Sequence, residues 1–520
     1  MVIFNKKVIA LSVKDFIPEV SASPFPSECH QTSELLAILQ NAAGLTCHSS
    51  EVQPGYLFIA IRGRKTDGHL YVTDAIKRGA KAIVTDSPHL LPPVNLPVVV
   101  VNDARQALSW LAAQFYRHPS SQFSVVGVTG SNGKTTITCM LDRIFDQAGY
   151  KSGLIGTVRV NVGNHSFPSV LTTPDAVNVQ RYLMEMQKNG VTHAAMEVSA
   201  QGIEMHRVAN VHFSCGILSN ICPDHLDFHE TFDSYLAAKC KFLPLLEPNT
   251  PLIVNVADSY CRDITAGWSG RLVTVSPNPL LEADITALPL FTSCRLSRFL
   301  LSINQPIETL CGTVLSAGTI SVTIPLPGLH NIENALLAAT AALLHGISPA
   351  VISSALIDYA GVERRLNIHQ INGFTVVDDT ALNPGSIAAI YQTLNSFGYR
   401  NLVTVNAIRG CRGPAINSAN AATFAQWHSR PGSLLIVTDS ADETSPSDKV
   451  TTSERQAFLS VLDQNNIPYY YRPTLADAVN LAAGAIEEGD LLALLGAQGM
   501  DNGLAILRKE LDGTKTLSMH

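Results

Sequence analysis

The chain has 520 residues, 46% of them hydrophobic and 15% charged, and a net charge of −7. That length exceeds one ordinary domain, and the composition suits a packed globular protein, not a disordered one. The acidic balance argues against nucleic-acid binding, which leaves a basic footprint, and no apolar run approaches the ~18 residues of a membrane helix.

The opening MVIFNKKVIALSVKDF has lysines inside a short apolar stretch and does not read as a signal peptide. Ten cysteines, scattered from Cys29 to Cys411 without a C-x-x-C pair, are expected to be free thiols in a reducing, cytoplasmic setting. SASPFPSECH reads as part of an irregular leader. From about residue 30 to 118, helix-like SELLAILQNAAG and DARQALSWLAAQFYR alternate with the β-branched runs YLFIAI, KAIVTD and LPVVVV. A second α/β unit begins near Phe123 with strand FSVVGVT, a glycine-rich loop and helix TTITCMLDRIFDQAG, and ends after IENALLAATAALLHGI. A third opens near Gly361 and alternates FTVVDD, NLVTVN, SLLIVTD and DLLALLG with SIAAIYQTLN and LADAVNLAAGAIEEG. This alternation predicts mostly parallel sheets with helices on their faces, in domains spanning 1–119, 120–359 and 360–520.

The strongest local signal is the loop Gly130, Ser131, Asn132, Gly133, Lys134, Thr135, Thr136. Backbone amides of a glycine-rich turn at a helix N-terminus bind phosphate. Lys134 can reach the outer phosphates, and the Thr135 hydroxyl can serve magnesium. A strict G-x-x-x-x-G-K-[ST] requires glycine at 128, where this chain has Val128; the bland alternative is a turn that holds no ligand. Glu197 ends the apolar run VTHAAMEVS, and a carboxylate at a strand's C-terminal end points toward the crevice where ligands bind. A merely solvated strand-end glutamate is the competing reading. NICPDHLDFH packs Asp224, His225, Asp227 and His229 closely enough to suggest zinc, but neither C-x-x-C nor H-E-x-x-H accompanies them. Beside a phosphate loop, His225 better suits magnesium or the nucleotide.

The run from 127 to 243 resembles the Mur ligases, which join a carboxylate to an amine using ATP. The loop is similar to their T-G-T-N-G-K-T-T, and MEVSAQGIEMHRV to the MEVSSH…RV of the UDP-N-acetylmuramoyl-tripeptide synthetases. NICPDHLDFHETFDSYLAAK resembles their N-L-x-x-D-H-L-D-Y-H-G…AAK, Thr172-Thr173-Pro174-Asp175 their TTP element, and Gly328 to Asn334 their G-x-x-N-x-x-N. The resemblance covers about 45 to 510. It implies a three-domain α/β architecture with a central P-loop ATPase domain and a C-terminal Rossmann-like domain. It implies ATP and Mg2+ as cofactors, and small-molecule carboxylate and amine substrates; it leaves the oligomeric state open. Lys134 and the loop amides would hold the β- and γ-phosphates, with Thr135 and Glu197 at one magnesium and His225 and Glu197 at a second. Lys239 falls where the family carries a carbamylated lysine, an unmodified structural lysine being the alternative. Asn331, Arg365 and Asp378 would contact ATP. Ser49, Thr172, Thr173, Ser199 and Arg207 fall at substrate-binding positions.

Departures concentrate where substrates are chosen. The family's D-S-R-x-V-x-P-G, which helps hold a uridine nucleotide, reads His48-Ser49-Ser50-Glu51-Val52-Gln53-Pro54-Gly55. Gln201 replaces a usual histidine and Pro223 a frequent arginine. The amine-selecting D-N-P-R becomes Thr438 to Glu443, so that Asp439 and Glu443 are the expected substrate-facing residues and Glu443 reverses an arginine's charge. The later G-K-G-H-E reads Gly496-Ala-Gln-Gly-Met-Asp501. The leading expectation is a carboxylate–amine ligase working through an acyl phosphate on a non-standard substrate. A muramyl-dipeptide ligase of peptidoglycan synthesis is the alternative, and a non-catalytic ATP-binding homologue the third reading.

Overall fold

A computed structural model describes residues 36–63, 66–429 and 432–517. The predicted leader lies outside the described residues, and so do the side chains of Leu226, Asp227 and 513–517. Strands Gly44–Thr46, Tyr56–Ala60, Ala82–Thr85 and Val98–Val100 form a four-stranded parallel sheet in that order. Helix Ala104–Phe115 covers it, started by the Asp103 carboxylate, which accepts from the backbone of Arg105 and Gln106 at 2.8 Å. Its buried Leu108, Leu111 and Ala112 face the sheet core. His69, in the Asp67-Gly68-His69 turn, is buried between the Asp67 carboxylate at 2.6 Å and the Thr85 hydroxyl at 2.7 Å, which makes it a brace of this domain.

The central sheet has eleven strands. Its middle is parallel: Ser124–Thr129 lies between Cys215–Leu218 and His193–Glu197, with Leu252–Asn255 and Leu272–Ser276 on one side and Ser152–Ile155 on the other. The sheet is mostly parallel, as expected, but both margins carry antiparallel strands. At one, Ile285–Thr292, Ser297–Ile303 and Gly318–Ile324 form a meander; at the other, Arg159–Asn161 and Ser166–Pro168 add a hairpin. The reason is local. Ser297–Ile303 alternates buried and exposed positions, as a strand with one solvated face does, whereas the all-buried Cys215–Leu218 needs cover on both faces. Helix Lys134–Gln147 is buried for most of its length and packs against Leu329–Leu344, itself apolar on nearly every side. The phosphate loop is therefore anchored on a buried helix.

The third sheet has six strands, in the order Asn367–Ile371, Phe374–Asp379, Leu491–Leu495, Leu402–Ala407, Ser433–Thr438, Tyr469–Arg472. All its pairings are parallel except the first. Helix Pro384–Leu394 enters this domain with Asn383 as its N-cap, and that residue also reaches the central domain. Every described cysteine is a free thiol. Among the described residues, no helix is long and apolar enough to cross a membrane.

Candidate active site

The strand Ser124–Thr129 runs through the buried Val128, so the loop proper begins at Gly130 and glycine at 128 is not needed. Gly130 (φ 143°) and Gly133 (φ 88°) hold backbone conformations that side chains rarely adopt. A Cβ at Gly130 would lie 2.0 Å from Ser219 Oγ, and one at Gly133 would lie 2.2 Å from Asn334 Oδ1. The Ser131 hydroxyl donates to Cys222 O at 3.0 Å and meets the Tyr235 hydroxyl at 2.8 Å. Asn132 N–H donates to Asn220 Oδ1 at 2.9 Å. Lys134 Nζ donates to the carbonyls of Gly130 and Ser131, both at 2.8 Å. Burial lowers the Lys134 pKa, opposed by the charges of Glu197 and Asp224, and Arg365 pushes in the same direction as burial. Thr135 and Thr136 are buried in the first turn of the helix, whose amide dipoles favour an anion at the loop.

Glu197 is 1% exposed at the end of His193–Glu197. Its Oε2 accepts from the Thr135 and Thr157 hydroxyls, both at 3.0 Å, and its Oε1 from Thr157 N–H at 2.7 Å. A carboxylate and a hydroxyl meeting beside a phosphate loop supply the hard oxygen donors that magnesium takes together with phosphates and water. Around this pair the predicted substrate residues form a lattice. The Thr172 hydroxyl meets that of Thr157 at 3.0 Å, and Thr173 donates to Glu197 O at 2.9 Å. Ser199 caps the helix Ala200–Glu204, and Arg207 donates to Thr173 O at 2.8 Å. Thr173 and Ser199 thus spend their hydroxyls on the backbone.

His225 stands in the left-handed region (φ 51°), and its backbone N–H donates to Asp224 Oδ1 at 2.8 Å. Burial lowers its pKa to about 4, against the pull of Asp224, so near neutral pH the imidazole is uncharged and able to ligate a metal. Lys239 is 1% exposed; Nζ donates to Gly130 O at 2.8 Å and Thr129 Oγ1 at 3.2 Å. Burial first, then the Lys134 charge, hold its pKa well below that of an ordinary lysine. An uncharged amine is the form that can add CO2. Among the described residues no three His, Cys, Asp or Glu side chains converge as a metal-binding group. Glu197 hydrogen-bonds to Thr135 and Thr157, and His225 sits beside Asp224.

From the other side, Asn331 is buried and donates to Pro327 O at 2.8 Å, while its neighbour Asn334 lies against Gly133. Arg365 hydrogen-bonds the Thr380 hydroxyl and lies within electrostatic reach of Lys134. Asp378 departs from its expected role: it is ion-paired at 3.1 Å with Arg364, which also holds Gly496 O, Ala497 O and Asp501. The next residue along the strand, Asp379, answers to Arg365; burial raises its pKa to about 6, and Leu366 N–H donates to it at 2.7 Å. Adjacent strand residues point to opposite faces, so Asp378 and Asp379 have different surroundings.

The acidic loop also differs from expectation. Asp439 Oδ2 accepts from Arg455 at 2.6 Å and from Tyr471 at 2.9 Å, so its charge is matched. Asp442 accepts from the backbone of Leu475 and Ala476 at a helix start, and Glu443 from Asn502 at 2.5 Å. Between the N-terminal and central domains lies a cavity of about 380 Å³, lined by His48, Ser49, Tyr71, Arg105, Asp175 and Arg207 among others. Its two arginines are positive groups in a cavity whose D-S-R element is missing. Motif reading did not assign Thr157, Asp224, Asn383 or Arg409. Nothing in the local text announces Arg409.

Residues 41–116 match the Mur ligase family catalytic domain, 128–342 the Mur ligase middle domain, and 364–498 the Mur ligase glutamate ligase domain. The chain is 31% identical over 464 residues (87% of this chain, 88% of the relative) to the UDP-N-acetylmuramoyl-L-alanyl-D-glutamate–2,6-diaminopimelate ligase of Oceanobacillus iheyensis. It is 32% identical over 457 residues (87% and 89%) to the ligase of that name from Geobacillus thermodenitrificans. A crystal structure of MurF from Acinetobacter baumannii superposes with a TM-score of 0.67 at 20% identity, covering 94% of this chain and 99% of that one, a likeness of fold. Fold, phosphate loop and matches together define an ATP-dependent, amide-bond-forming ligase. The chain belongs to the Mur ligase family.

Proposed function

We propose that this ligase joins an amino acid to a UDP-N-acetylmuramoyl dipeptide. The observation that carries the reading is the likeness, over 87% of the chain, to ligases named for that acid. It favours the muramyl-dipeptide reading over the diverted substrate that the motif losses alone suggest. The N-terminal cavity with Arg105 and Arg207 supports it, since guanidinium groups suit phosphate oxygens. In this reading residues 1–119 hold the UDP-like nucleotide, 120–359 ATP, and 360–520 the amine. The substrate carboxylate attacks the γ-phosphorus, ADP leaves, and the amine displaces phosphate from the acyl carbon. Lys134 and the loop amides neutralise the transferring phosphoryl oxygens, and Arg365 approaches from the C-terminal domain. Thr135 and Glu197 would hold one magnesium ion, and His225 with a carbamylated Lys239 a second; when bound, the ions add positive charge at the phosphates. The dry, packed surroundings of Glu197 and Lys239 strengthen every one of these interactions.

A second reading concerns the amine alone. Glu443, beside a loop whose other acids are already engaged, stands where the family carries an arginine, so a neutral or basic amino acid is preferred to diaminopimelate. Phosphate release and product mass would be recorded with ATP, UDP-N-acetylmuramoyl-L-alanyl-D-glutamate and a panel of diaminopimelate, lysine and simple amines. Release that requires this acid is expected. Ligation of other acids with none of this one would overturn the proposal, and efficient use of diaminopimelate would overturn the second reading.

A further inference from the structure

Asp224 precedes the metal-competent His225 and is 2% exposed. Its neutralising partner comes from the C-terminal domain: Arg409, just past strand Leu402–Ala407, donates to Oδ1 at 2.7 Å. Asn383, also of that domain, donates to Oδ2 at 3.0 Å. The same Asn383 exchanges two amide hydrogen bonds with Asn132 of the phosphate loop, at 3.0 and 3.2 Å. One carboxylate oxygen therefore receives both the Arg409 guanidinium and the backbone N–H that stabilises the left-handed turn at His225.

We propose that Arg409, assisted by Asn383, is a positioning residue that seats the C-terminal domain on the phosphate loop and, through Asp224, fixes the turn carrying His225. A side chain held at a sparsely populated backbone conformation needs its surroundings to over-determine it. Here the restraint comes from the domain proposed to deliver the amine. A seated C-terminal domain and a correctly set His225 then become one event. The Asp224 carboxylate and the Arg409 guanidinium meet across the two domains, so the pair forms only when the C-terminal domain is seated. The catalytic consequence rests on the ligase reading; the seating itself does not.

The test uses the full chain with a non-hydrolysable ATP analogue. Small-angle scattering of wild type, Arg409→Ala, Arg409→Lys and Asp224→Asn reports whether the domains stay seated. Steady-state kinetics reports KM for ATP and kcat separately. The expected result for Arg409→Ala is a larger radius of gyration and a kcat lower on the order of a hundredfold, with KM for ATP little changed. Arg409→Lys should recover part of both. Arg409→Ala combined with Asp224→Asn should be no worse than the poorer single variant, since the two share one interaction. Unchanged scattering for Arg409→Ala, or additive losses in the double variant, overturns the proposal. If the wild type releases no phosphate with the muramyl dipeptide, the functional reading fails while the scattering series still decides the seating.

Discussion

The phosphate loop at Gly130–Thr136 and the acidic loop at Asp439–Glu443 both follow strands of parallel sheets, yet they relate to their sequences in opposite ways. At the first, backbone amides and two glycines do most of the work. Their conformations are fixed by close approaches, such as Gly133 against Asn334, that few other residues would permit. At the second, the chemistry belongs to side chains, and each charge has been claimed by a partner far away in the chain: Asp439 by Arg455 and Tyr471, Asp442 by a helix N-terminus. A motif built from backbone geometry survives transfer between relatives residue by residue. A recognition loop has to be read with its partners in place.

The largest effect is expected at the backbone-built site. Lys134→Ala should lower ligation on the order of a hundredfold or more, because a charge aimed at the transferring phosphoryl group is lost. Circular dichroism should show the fold retained; near-wild-type turnover in a folded variant would erase the distinction between the loops. Lys239→Ala comes next. A carbamate there predicts a loss of about 10- to 100-fold, in line with losing a group that orients a metal site. Short-chain carboxylates should restore part of the activity, and ¹³CO2 should label the wild type in NMR spectra. Full activity in the alanine variant, or no label in an active preparation, would contradict the carbamate.

How much could be read in advance follows the same division. Lys134 and Thr135 were legible because loop and helix start are contiguous text, and Glu197 because it ends an apolar run; the structure brings Thr135 and Glu197 to 3.0 Å. The parallel middle of the central sheet was legible from continuous apolar runs, whereas its antiparallel margins depended on half-exposed strands that the overall alternation obscured. That Asp378 pairs with Arg364 was not legible, because no local pattern states which partner each carboxylate of Phe374–Asp379 meets. Arg409 was invisible, since its partner Asp224 lies 185 residues earlier.

Smaller effects sharpen the contrast on the acidic side. Asp439→Asn should destabilise the protein by about 1 to 2 kcal/mol, the scale of a hydrogen bond to a charged group, and thermal melting would read it. It should leave the choice of amine nearly untouched; a large specificity change without loss of stability would return Asp439 to the substrate. Glu443→Ala is expected to have the smallest effect, shifting the ratio of lysine to diaminopimelate use within about tenfold toward diaminopimelate, as befits one partly exposed charge. No shift would mean that Glu443 serves only Asn502.

The acyl-phosphate route is tested most directly by following oxygen. With ¹⁸O in both oxygens of the acceptor carboxylate, the account predicts one ¹⁸O in each phosphate released during turnover. That oxygen attacks the γ-phosphorus and departs with it when the amine takes its place on carbon. Phosphate carrying no ¹⁸O, released while amide product accumulates, would contradict the mechanism assigned to Lys134, Thr135 and Glu197.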